Sequence, residues 1–167
     1  IEGSNIFALA LDGSGSVISG WPVSLSDLSE DQYFESSVET GDGIFITFKD
    51  NTSGSYDVYG QYIDFQENLI FGSSGQSIGY GTDDQQESSV AYNQDQNEIL
   101  VCYETRISSE NDIHCNEINL TGEPVSAPFI ISEFDNNQSN PNVTWSGSGY
   151  LIAWEDSRNI LTSEEDI

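Results

Sequence analysis

The chain has 167 residues, of which 3 are Lys or Arg and 29 are Asp or Glu, for a formal charge of −26. Lys49, Arg106 and Arg158 cannot build a basic patch, which argues against nucleic acid and against anionic membrane surfaces as partners. Apolar runs of about five residues are too short to cross a bilayer, and the abundant aromatic residues distinguish the chain from a disordered acidic tail.

In chain order, Ile1 opens a sequence with no basic and apolar leader, so the chain reads as a processed product or an excerpt of a longer one. Asn5-Ile6-Phe7 begins a strand, Asp12–Ser16 reads as a turn, and Val17–Val23 as the next strand. Phe34-Glu35-Ser36-Ser37-Val38 ends a further strand, and Ile44–Phe48 is apolar nearly throughout, as a strand covered on both faces is. A loop of six to nine polar residues is predicted to follow, before Asp57-Val58-Tyr59 opens a third strand and Leu69–Gly72 a fourth. The series then recurs through Gln86–Val90, Ile99–Glu104, Asp112-Ile113-His114 and Pro128–Ile131, and again through Ser139–Val143, Tyr150–Asp156 and Asp166-Ile167. Nothing sustains a 3.6-residue apolar period, so almost no helix is expected.

The anchors recur every 52 to 55 residues: Ser36 to Ser88 to Pro141 spans 52 and 53, and Asn5 to Asp57 to Asp112 to Asp166 spans 52, 55 and 54. Four short strands in a unit of about 50 residues match a β-propeller blade. The chain therefore reads as one all-β array of about three four-stranded antiparallel units, approximately 5–56, 57–111 and 112–165, each starting at a third strand. Three blades are fewer than closed propellers use, so further repeats of the same chain or copies of it are the expected partners.

Trp154-Glu155-Asp156-Ser157-Arg158-Asn159 before Asp166-Ile167, together with Asp57-Val58-Tyr59-Gly60-Gln61, resembles the repeat of secreted bacterial β-propeller proteins. Phe48-Lys49-Asp50 and Tyr103-Glu104-Thr105 depart from its Trp-Glu-Asp stretch. The resemblance implies an extracellular or cell-surface propeller and no particular activity, because propellers host binding, catalytic and structural roles alike.

Candidate sites follow from residue chemistry. Asp50 and Asp57, Asp112, and Asp156 and Asp166 flank the loops between second and third strands, where they either cap loop amides or supply oxygen ligands to calcium. Cys102 and Cys115 fall on adjacent predicted strands, as a cross-strand disulfide or as two buried thiols. Phe48, Tyr103 and Trp154 share a repeat position at the end of an apolar strand and read as core, whereas Trp21 lies outside that pattern and is the candidate ligand contact. His114 is the only histidine and reads as a strand residue; no zinc spacing, nucleophile elbow or phosphate-binding loop is present. With no catalytic residue assigned, the leading expectation is a non-catalytic structural or adhesive module, with glycan binding second and glycoside hydrolysis third.

Overall fold

The computed structural model describes residues 4–158. These form twelve strands: β1 (Phe7–Ala8), β2 (Val23–Ser24), β3 (Gln32–Glu39), β4 (Gly43–Asp50), β5 (Asp57–Asp64), β6 (Gln76–Ser77), β7 (Asp84–Asn93), β8 (Glu98–Ile107), β9 (Glu110–Asn119), β10 (Phe129–Ser132), β11 (Gln138–Trp145) and β12 (Tyr150–Asp156). The described residues contain no helix. All pairings are antiparallel, and the sheets run β1-β2, β3-β4-β5-β6, β7-β8-β9-β10 and β11-β12. Where the period predicts about three four-stranded units, two complete sheets stand between two half-sheets, because the units are out of phase with the sheets by half a period.

Local chemistry explains the turns. Gly41 and Gly147 take positive φ in the β3–β4 and β11–β12 hairpins, a conformation glycine adopts without steric cost. After β5, Asp64 Oδ1 accepts the amides of Gln66 and Asn68 (2.9 and 2.8 Å). Asp12 and Asn119 do the same work at the matching turns, accepting from Ser14 and Ser16 and from Thr121 and Glu123.

The sheets pack face to face in chain order, with three apolar layers between them. Ile6 and Leu25 meet Ile46, Phe48 and Ile63 in the first. Phe45, Val58, Tyr62 and Ile78 meet Val90, Ile99, Val101 and Tyr103 in the second. Ala91, Leu100, Cys102 and Cys115 meet Val143, with Trp145, Tyr150 and Ile152 alongside, in the third. Alternation along β8 explains its apolar run: Ile99, Val101 and Tyr103 point to one neighbouring sheet, Leu100 and Cys102 to the other. Polar staples also cross between sheets, since Gln61 Nε2 donates to Leu25 O (3.2 Å) and Asn116 Nδ2 donates to Ile78 O.

Three details differ from the sequence reading. The stretch 17–23 is not a continuous strand: Gly20 sits at φ 101° and Pro22 has no N–H to donate, so only a Leu11–Val17 bridge and the short β2 form. Likewise 69–72 contributes one bridge, Ile63–Leu69, and the ladder resumes at β6 after Gly72 and Gly75, both at φ 75°. The loop between second and third strands spans six residues, 51–56, in the first unit. In the second it shrinks to Ser108 and Ser109, because Arg106–Asn111 and Ile107–Glu110 extend the ladder and Ser108 adopts φ 63°. Asp112 therefore lies inside a strand rather than at a loop edge.

Candidate functional site

Each first strand carries one extra residue at the same repeat position. Pairing slips between Phe34 and Ser36 in β3, between Gln86 and Ser89 in β7, and between Ser139 and Asn142 in β11. A bulge takes amides out of the ladder and re-aims side chains. Glu87 and Asn140 occupy the left-handed region at φ 51° and 53°.

The freed amides are met by carboxylates from the preceding unit. Glu35 accepts from Glu87 N (2.7 Å), from Ser88 N (2.9 Å) and from the Ser88 hydroxyl, which also lies 2.8 Å from Thr47 Oγ1. At the next junction Glu104 Oε1 accepts from Asn140 N (2.8 Å), and Glu104 Oε2 from Asn111 Nδ2 (2.6 Å). Ser89 Oγ accepts from Val143 N (3.1 Å). Burial pushes both the Glu35 and the Glu104 carboxyl above the ordinary glutamate range, against the hydrogen bonds that favour their charged forms.

Lys49 Nζ stands 3.4 Å from Glu87 Oε1 and 4.0 Å from Glu35 Oε1. It lines a cavity of about 500 Å³ together with Tyr33, Phe34, Glu35, Ser88 and Asn140. Phe34 is 58% exposed at its rim. The cavity combines an ammonium group, hydroxyl and amide groups and an aromatic wall, so it can hydrogen-bond and stack a polar ring.

Asp50, Asp57, Asp112, Asp156, Trp21, Cys102 and Cys115 do not line this cavity. Asp50 is buried, pairs across the sheet with Asp57, and accepts Thr52 N at 2.7 Å; Asp57 Oδ2 accepts Ser53 Oγ at 2.6 Å. Asp112 pairs with Thr105, and burial raises its carboxyl. Asp156 binds Arg158 through the amide (3.0 Å) and the guanidinium (2.8 Å from Nε), which lowers its pKa to about 2. Asp166 lies outside the described residues. Among the described residues no group of three or more His, Cys, Asp and Glu side chains is gathered to hold a metal.

Trp21 is half-buried against the Leu25 and Phe48 layer. Cys102 and Cys115 face each other on β8 and β9, 4.1 Å apart at Cα, with their sulfurs bonded. His114 pairs with Tyr103, and burial lowers its pKa.

Sequence reasoning missed Glu35 and Glu104 as bulge partners. It also missed Gln32, Gln85 and Gln138, which recur at 53 and 53 residues, are all buried, and donate through Nε2 to Leu28 O, Tyr80 O and Phe134 O. Their period was a readable signal. No protein-family model matches the chain, and no curated protein sequence matches it.

Proposed function

We propose that this chain is a non-catalytic, extracellular structural or adhesive module of propeller-type repeats, whose end faces are covered by further repeats of the same chain or by copies of it. The supporting observation is a mismatch of sequence and burial. Leu151 in β12 occupies the repeat position of Leu100 in β8, yet it is 66% exposed where Leu100 is 2%. At the other end Phe7, the counterpart of Tyr59, is exposed too. Strands of this composition are stable when both faces are covered, and open edges favour association. The Cys102–Cys115 bond suits an oxidising compartment, and the acidic coat keeps such a surface hydrated, with calcium as an accessory ion. Light scattering on residues 1–167 tests the reading. Defined multimers that L151K dissolves support it, and a compact wild-type monomer overturns it.

A second reading, glycan binding, draws on the exposed Phe34 and Tyr33 at the rim of the Lys49 cavity. A glycan array with wild type and F34A decides it: binding lost in F34A supports it, and no binding by wild type removes it. Release of labelled product from a polysaccharide would contradict the non-catalytic reading.

A further inference from the structure

The end of the sheet β3–β6 gathers oxygen atoms that lack donors. Gln32, Asp50 and Asp57 form one rung across three strands, so their side chains share a face. Asp50 is 1% exposed and Gln32 is 3% exposed. Among the described residues Asp50 Oδ2, Gln32 Oε1 and the neighbouring Asn51 Oδ1 are all buried and have no hydrogen-bond partner. Buried acceptors normally find donors, and leaving each one bare is costly.

The equivalent rungs solve this problem differently. Gln85 Oε1 accepts Val58 N (3.4 Å), an amide of the preceding sheet, and Gln138 Oε1 accepts Phe134 N (3.1 Å). In the second unit Thr105 replaces the aspartate and a two-residue turn replaces the loop, so no carboxylate is buried there, although the Thr105 hydroxyl is also without a partner. In the third, Arg158 neutralises Asp156. Among the described residues the first rung has no such ion pair. Lys49 points to the opposite face of β4, toward Glu35 and Glu87.

We propose that this rung binds one hard divalent cation, calcium in the first instance, through Gln32 Oε1, Asp50 Oδ2 and Asn51 Oδ1, with the Asp57 carboxylate as the second negative charge. Oxygen-only ligation with mixed amide and carboxylate donors is what calcium takes, with water and loop carbonyls filling the remaining positions. The inference rests on the calcium part of the reading above and is independent of its assembly part. It narrows five hairpin aspartates to one rung and adds two amide ligands.

The test uses residues 1–167 stripped with a chelator. Calcium is titrated by calorimetry, and terbium luminescence is excited through the tyrosines, of which Tyr59 lies on the same face. The expected result is one ion per chain at this site, a higher unfolding midpoint with calcium, affinity at least tenfold weaker in N51A and absent in D50N. Asn51 lies in the loop just beyond β4, so N51A decides the matter if D50N fails to fold. No calcium heat and no terbium signal in wild type, or N51A binding unchanged, overturns the proposal. Solution mass is read separately, so a calcium-binding monomer would keep this site while contradicting assembly.

Discussion

The strands β8 and β12 hold the same place in successive units and are built alike, Ile99-Leu100-Val101-Cys102-Tyr103-Glu104 against Tyr150-Leu151-Ile152-Ala153-Trp154-Glu155. Every residue of β8 from Ile99 to Thr105 is buried, whereas β12 alternates between half-buried and exposed. The half-buried residues of β12, Tyr150, Ile152 and Trp154, match those that β8 turns toward its preceding sheet. The exposed ones, Leu151 and Ala153, match Leu100 and Cys102, which face the following sheet. A second strand is thus apolar on both faces wherever it occurs, and its burial depends on what packs after it.

Core truncation should break this symmetry most sharply. Diluted below the concentration at which it assembles, the chain should lose about 2–5 kcal/mol of unfolding free energy in L100A, whereas L151A should stay within about 0.5 kcal/mol, as an exposed position does. Equal costs in that monomer would mean that the chain itself covers β12. Replacing Cys102 and Cys115 with serine opens the bond between β8 and β9 and should cost about 3 kcal/mol by loop-closure entropy, read as a lower unfolding midpoint that matches the reduced wild type. β12 has no such clamp to lose.

The junctions before the two strands offer a finer probe. E35A strands the Glu87 and Ser88 amides, and E104A strands that of Asn140; each should cost about 1–3 kcal/mol. Hydrogen exchange should localise the loss to Ser88 in the first variant and to Asn140 in the second. The smallest effect is in pH. A carboxyl whose pKa is raised by folding stabilises the fold fully below its unfolded value, and that contribution is lost as pH rises through the folded value. Glu35 and Glu104 are both raised, so their share of stability should fall as pH climbs from the ordinary glutamate range through the raised one. E104Q should flatten its part of that slope, measured as the wild-type minus variant difference in midpoint.

The strand alternation and the apolar second strands were legible because each unit obeys the same local rules of period and turn chemistry. Asp57–Asp64 and Gly43–Asp50 form where their patterns place them. The two-residue turn at Ser108 and Ser109 was not legible, since it depends on Arg106 and Ile107 finding partners across the ladder. The bulge partners were hidden for a different reason. The first junction draws its carboxylate from a first strand, Glu35, and the second from a second strand, Glu104. The need for an acceptor repeats, but the residue that meets it does not keep the period. The donor-poor rung at Gln32 and Asp50 shows itself only when each buried oxygen is followed to its partner.

The most direct measurement is the solution mass of residues 1–167 by light scattering behind size exclusion, across a concentration series, alongside L151K. If strands such as β12 exist to be covered, the wild type should form a defined multimer and L151K a monomer of unchanged sheet content. A wild type that remains a compact monomer at every concentration would contradict the account, because the exposed face of β12 would then need no cover.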